Sequence, residues 1–408
     1  MRSILLLAVL LVASAAVLPN ARVAADSTTL ALVGGRVYVS PTAAPIPDGV
    51  VLISGGVIQW VGPRSKAKIP AGVTTIDCTG EIVTAGFQNS HVHFTEDRWL
   101  DAAHQPAQTL ASQLQGMLGK YGFTTVVDTA SLLENTVALR KRIVSGEVDG
   151  PRILTAGLAL YPPNGVPYYI KDNVQADLVG MLLQPKNADE ATSMVRHNID
   201  GGADIVKLFT GSWVSKDRAL PMPDAIATAA VREGHRLGKL VFTHPSNLAG
   251  ARVALVARVD VLAHAIEDTR ELTPDVLAAM KAQNMAIIPT LKLFGEDRNI
   301  GAIEKEIRDY AALGGQILFG TDVGYLPDYS PLREYELMGE AGLDWRQILA
   351  SLTTNPAARF SESARRGRIA PGMAADLVVL AQDPARDVRA FADVRHTIRA
   401  GRSIFSSR

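Results

Sequence analysis

Between about residues 84 and 360, short apolar runs alternate eight times with segments of helical periodicity, and this alternation limits the fold more than any other feature. The strand candidates are Ile82–Gln88, Thr124–Asp128, Arg152–Ala156, Ile205–Phe209, Leu240–Thr243, Val259–Ala263, Ala286–Thr290 and Ile317–Thr321. Helical runs such as Ala188–Asn198, Pro223–Leu237, Pro274–Gln283 and Ala302–Leu313 separate them. Continuous apolar runs suit strands covered on both faces, as in a parallel sheet. The pattern predicts an α/β chain with a (β/α)₈ TIM barrel. A doubly wound open sheet is the rival. The barrel is favoured because unusual polar residues fall at the strands' C-terminal ends, where barrel sites form.

Both chain ends are different. Leu30–Val39, Gly49–Gly62 and Val73–Val83 are β-rich and punctuated by Gly34-Gly35, Gly55-Gly56 and Pro45-Ile46-Pro47-Asp48. Asp376–Leu380 and His396–Phe405 mirror them at the other end. The expectation is a small β-sandwich domain built from residues 26–83 and 361–408, around a barrel at 84–360.

The chain has 408 residues, 47% of them hydrophobic, enough for one large core and an accessory unit. Lys+Arg and Asp+Glu are both 41, so no basic excess marks a nucleic-acid binder. Residues 1–25 read as an export signal: Arg2, the apolar run Ile4–Val17, then small residues at Val23-Ala24-Ala25. That run is short for a membrane span, so a periplasmic or secreted chain without stable membrane insertion is expected after cleavage near Ala25. Cys78 is the only cysteine, which rules out an intrachain disulfide and leaves stability to the core.

The polar residues carry the chemistry. In His91-Val92-His93, positions two apart on a strand face one side, so both imidazoles can reach one ion. Lys207 sits inside the apolar run Ile205–Phe209. A lone lysine there usually snorkels or pairs with an acid. Burial lowers a lysine's pKa and frees the amine. A free amine can add carbon dioxide, and the carbamate's two oxygens can join two cations. His244 and His264 each end an apolar strand, and Asp322 ends another. Taken singly, each has a bland explanation: a hydrogen-bonded histidine or a helix cap. Six such explanations for residues on or after strands one, four, five, six and eight do not combine easily. Imidazole and carboxylate ligands suit zinc, and also manganese, cobalt or nickel.

This arrangement resembles the amidohydrolase superfamily. Gly122–Asp128 (GFTTVVD), Gly320–Gly324 (GTDVG), Thr354–Ala357 (TNPA) and Gly372–Leu380 (GMAADLVVL) add to the likeness. It covers most of the mature chain and is greatest toward the imidazolonepropionase-related, prolidase-like branch. The resemblance implies two divalent metal ions. His91, His93 and Asp322 would bind the more buried one, and His244 and His264 the more exposed one. Carbamylated Lys207 would bridge them, together with a hydroxide that attacks an amide. Asp322 would move the proton to the departing amine. Many relatives carry an acid two residues before the first histidine. Here the position is Asn89, which can orient a ligand but adds no charge.

Two other readings stay open: a mononuclear deaminase or cyclic-imine or ester hydrolase, and a silent barrel that only binds. A serine nucleophile elbow, a P-loop and a dinucleotide fingerprint are all absent from the sequence. The expected substrate is a small amide, such as a dipeptide or N-acyl amino acid. Tyr168, Tyr169, Trp213 and Tyr325 would shape its pocket, with Arg152 or Arg218 as a hold for a carboxylate. A homo-oligomer is compatible with the sequence but not specified by it.

Overall fold

The computed structural model describes residues 29–172, 179–180 and 182–407. The expected signal segment, residues 1–25, lies outside them. The chain is α/β. Phe87–Val92, Phe123–Asp128 and Arg152–Thr155 form one parallel sheet. Val206–Phe209, Val241–His244, Val261–Leu262, Ala286–Ile287 and Gln316–Ile317 form another, with neighbours in chain order.

Backbone hydrogen bonds join the two sheets at both edges. Asp204 N donates to Thr155 O at 2.7 Å and Leu160 N to Lys207 O at 2.9 Å. On the other side Ser90 N donates to Phe319 O at 2.7 Å, and Val92 bridges Val323 in parallel. Val127, Leu154, Ile205, Phe242, Val261, Ala286 and Leu318 then meet in one buried cluster. Five of them lie in the strands, and Ile205 and Leu318 lie directly beside theirs, so the two sheets share one apolar core. Helices including Ala188–Asp200, Asp224–Arg236, Pro274–Ala282 and Ile300–Ala312 lie between the strands in sequence.

The sequence-expected strand Ile82–Gln88 is in fact two elements. Ile82–Ala85 pairs with Leu30–Val37 and Leu377–Leu380 in the terminal sheet, and Phe87–Val92 starts the other sheet. Gly86 is the crossover: a Cβ there would meet Thr124 Oγ1 at 2.3 Å. Two apolar strands joined by one glycine look like one strand in sequence. The terminal sheet has eight strands drawn from both chain ends, and Cys78 is buried in it. Its alternating residues form two apolar faces, Leu30, Leu32, Val51 and Ile53 on one and Ala31, Val33, Val50 and Leu52 on the other. The segment after Phe209 is a hairpin of Gly211–Ser215 and Arg218–Pro221.

Outer helices reach inward through two buried acids. Glu306, on Ile300–Ala312, takes Ile266 N on both carboxyl oxygens at 3.0 and 3.1 Å. Glu334, on Leu332–Glu340, accepts Lys292 N at 2.7 Å. Each thereby fixes a loop that follows a strand. Burial pushes the Glu306 carboxyl up to about 8, with the Ile266 N–H only partly opposing. Below the ordinary value of 4.5 both folded and unfolded chains hold this proton. Between there and about 8 only the folded chain keeps it, so its contribution to stability is lost as pH rises. Urea unfolding across this range should show Glu306→Gln gaining steadily on the parent and levelling off above it. A gap between the two proteins that does not change with pH would contradict the assignment.

Candidate metal centre

The six residues singled out in the sequence all line one cavity of about 770 Å³. His91, Lys207, His244, His264 and Asp322 are buried, and His93 is nearly so. His91 Nε2 lies 3.2 Å from His93 Nε2. Asp322 Oδ1 is 3.2 Å from the first and 2.9 Å from the second. The ring centres of His264 are 4.5 Å from both His91 and His244. Ligating atoms of His91, His264 and Asp322 lie within 4.8 Å of one another.

The outer nitrogens of three of these rings are already committed. His91 Nδ1 lies 2.7 Å from Ala263 O and His93 Nδ1 2.8 Å from Ala130 O. A carbonyl only accepts, so each Nδ1 carries the proton and donates it. Thr290 Oγ1 gives its own hydrogen to Pro289 O and so accepts from His264 Nδ1 at 2.7 Å. The Nε2 of a neutral ring is then a bare lone pair facing the cavity. His244 stacks on Phe209 at 4.8 Å, and its Nε2 has no partner among the described residues. Asp322 Oδ1 likewise accepts no well-aligned hydrogen bond. Buried lone pairs turned toward one another are repulsive unless something positive stands between them. This donor set fits divalent cations.

Charges respond accordingly. Burial lowers His91 to about 4 and His244 to about 3, and takes His264 well below its usual range. Burial also acts on His93, but Asp322 outweighs it and raises the ring. Burial opposes ionisation of Asp322, yet His91 and His93 together hold its carboxyl well below the usual range. Lys207 is brought down to about 7 by burial, with Asp322 only partly opposing. Near neutrality much of this amine is uncharged.

The backbone aims these groups. Asp322 and Thr290 adopt left-handed conformations, φ 58° and 46°, in the segments that follow their strands. A Cβ at Gly324 would fall 2.0 Å from His93 O, so only glycine lets this turn close on the His91–His93 strand. Asn89 joins the two sides. Its Nδ2 donates to Thr321 Oγ1 at 2.7 Å, and its Oδ1 accepts His91 N at 3.1 Å.

Tyr168, Tyr169, Trp213 and Tyr325 line the same cavity. The Tyr169 ring is 5.5 Å from Tyr168 and 5.9 Å from Tyr325. The arginines expected to hold a carboxylate are elsewhere. Arg152, at the start of its strand, makes a two-pronged pair with Glu362 at 2.7 and 3.0 Å. Arg218 is exposed on the hairpin and outside the cavity walls. Sequence reasoning missed three contributors. Asp128 accepts Ser131 Oγ at 2.6 Å and Thr155 Oγ1 at 2.7 Å, steadying the loop that presents Ala130 O. Thr290 orients His264. Glu267 lines the cavity three residues beyond His264. A polar residue ending an apolar run was the available signal for Asp128 and Thr290.

Thr290→Ala removes the acceptor that keeps the His264 lone pair facing inward. Metal affinity should fall about 10- to 100-fold in a chelator-competition titration. Unchanged affinity would show that the hydroxyl does not orient the ligand.

Comparison with known proteins identifies the family and the fold. The amidohydrolase family model matches residues 82–404. Ochratoxinase of Aspergillus niger is 22% identical, aligned over 92% of this chain and 87% of its own length. Its crystal structure superposes with a TM-score of 0.76, covering 93% of this chain and 96% of that one. A Xaa-Pro dipeptidase with methionine in its active site gives a TM-score of 0.77 at 21% identity, covering 93% of this chain and all of that one. A 5-methylthioadenosine/S-adenosylhomocysteine deaminase of Symbiobacterium thermophilum is 40% identical over a short stretch, 16% of this chain and 15% of its own. The chain belongs to the amidohydrolase family and is a hydrolase acting on carbon–nitrogen bonds.

Proposed function

We propose that this protein is a binuclear metal-dependent hydrolase that cleaves an amide bond in a small molecule. The observation that carries the reading is the set of imidazole lone pairs around Asp322, turned inward by Ala263, Ala130 and Thr290, with the buried amine of Lys207 lining the same cavity. His91, His93 and Asp322 would hold the deeper ion, and His244 and His264 the outer one. The neutral amine of Lys207 adds to carbon dioxide, forming an N–C bond and releasing one proton, and the resulting carbamate would join the two ions. Zinc suits this set best, with manganese, cobalt or nickel as substitutes.

Bound cations supply Lewis acidity, making a water nucleophilic near neutral pH and polarising the substrate carbonyl. Asp322 accepts the proton of the attacking water and passes it to the departing amine nitrogen. That transfer matters because an unprotonated amine leaves poorly. Asn89 keeps the His91 and Asp322 strands in register during it. The aromatic wall of Tyr168, Tyr169, Trp213 and Tyr325 would receive the substrate's apolar part.

The architecture behind this site is read as a (β/α)₈ barrel at residues 84–360 with a β-sandwich unit from both chain ends. The export signal at 1–25 would deliver the enzyme to the periplasm or outside the cell. No helix among the described residues is long and apolar enough to cross a membrane. Dipeptides and N-acyl amino acids are the first substrates to screen, since the ochratoxinase and Xaa-Pro dipeptidase matches share this fold. Self-association into a homo-oligomer is compatible with the reading.

A one-ion deaminase or ester hydrolase is the second reading. The group His91, His264 and Asp322, with ligating atoms within 4.8 Å of one another, is enough for a single ion. Elemental analysis separates the two. About two equivalents of metal per chain are expected, with about one for the deaminase and almost none for a silent barrel. Lys207→Ala should lower the content to about one and abolish amide hydrolysis. Full activity in that variant would remove the binuclear mechanism.

A further inference from the structure

We propose that the cavity over the histidine cluster contains a subsite for a cationic group, with Glu267 as counter-ion and Trp213 as part of its wall. The amide substrate would then carry an ammonium or guanidinium rather than a second carboxylate. The inference rests on the hydrolase reading and deepens it by assigning the substrate's charge.

Glu267 is built into the wall. Trp213 Nε1 donates to Glu267 Oε2 at 2.6 Å, and Asn299 Nδ2 holds the Glu267 main-chain oxygen at 3.1 Å. The side chain is half-buried and lines the cavity along with the tyrosines. The charges that reach it, those of Asp297 and Asp268, are both acidic. Burial raises its carboxyl most, the Trp213 hydrogen bond opposes, and these acids add to the rise. Among the described residues Glu267 forms no ion pair, so no cation there compensates it.

The rest of the cavity has the same sign. Beyond the histidine cluster, the lining carries Asp97, Glu296 and Asp297 as well as Glu267, against Lys216. Among the described residues the walls contain no arginine, and Arg152 is taken up by Glu362. A substrate carboxylate pointing outward would meet mostly like charge, with Lys216 the one cation among the described lining residues beyond the histidine cluster. A cation would meet a fixed carboxylate and an aromatic wall, the surroundings that stabilise it once desolvated. The floor holds buried, unpartnered His244 Nε2, so this is a ligand cavity and not a packing gap.

Calorimetric titration with 2-phenylethylamine and 2-phenylethanol tests the subsite without turnover. The two probes share a shape and differ in charge, and the protonated amine has no lone pair for a metal. At low salt the amine should bind about tenfold tighter than the alcohol. Glu267→Gln keeps an acceptor for Trp213 and should remove the difference. Equal binding of the two probes, or a difference that survives Glu267→Gln, overturns the proposal even if amide hydrolysis is confirmed. Zinc-loaded protein given phenylalanyl-lysine, phenylalanyl-norleucine and phenylalanyl-glutamate provides the second reading. The highest kcat/KM should belong to the lysine peptide and the lowest to the glutamate peptide, and the reverse order contradicts the subsite. Tight amine binding without peptide cleavage supports the subsite while refuting the hydrolase reading.

Discussion

Three histidines with one nitrogen spoken for set the terms for this molecule. Carbonyls of Ala263 and Ala130 and the hydroxyl of Thr290 hold the outer nitrogens of His91, His93 and His264. The inner nitrogens then share one wall of the cavity with Asp322. His91, His264 and Asp322 are buried, so solvent does little to relieve lone pairs and carboxylate. A proton drawn to His93 by Asp322 is one partial answer, and it matches the raised ring. A divalent cation is a better one, because it can satisfy several donors at once. Lys207 belongs to the same balance: burial removes its charge, and an uncharged amine is the form that can be converted into a ligand.

The fold pays for this crowding through its framework. Asp322, Thr290 and Ser246 all take left-handed backbone angles just past their strands. Such conformations cost on the order of 1–3 kcal/mol each and persist only where the surroundings overdetermine them. Those surroundings are visible. Glu306 and Glu334 reach in from outer helices to hold main-chain N–H groups, and Asp128 braces the loop carrying Ala130. The terminal sheet meets the parallel sheets at Gly86, where Gly86 N donates to Asp376 O at 2.7 Å. The site thus depends on groups far apart in the chain.

The ligand residues could be read from the sequence because polar groups are conspicuous inside apolar runs. Lys207 in Ile205–Phe209 and His244 after Leu240–Thr243 are of this kind. Their orienting partners were harder to see, since Ala263 and Ala130 act through main-chain oxygens and leave no side-chain signature. The boundary between the two β systems was misread for a similar reason: Ile82–Ala85 and Phe87–Val92 are both apolar, and only Gly86 separates them. Arg152 is matched with Glu362, 210 positions away, and Trp213 with Glu267, 54 positions away. Pairings of that span depend on the closed fold, and local pattern does not contain them.

Anomalous diffraction from crystals grown with zinc, collected on both sides of its absorption edge, decides whether these side chains hold a pair of ions. Two peaks about 3.5–4 Å apart are expected, one against His91, His93 and Asp322 and the other against His244 and His264, with added density on Lys207 between them. A single peak beside an unmodified lysine would contradict the two-ion centre. An absence of zinc among these side chains would contradict the metal site itself.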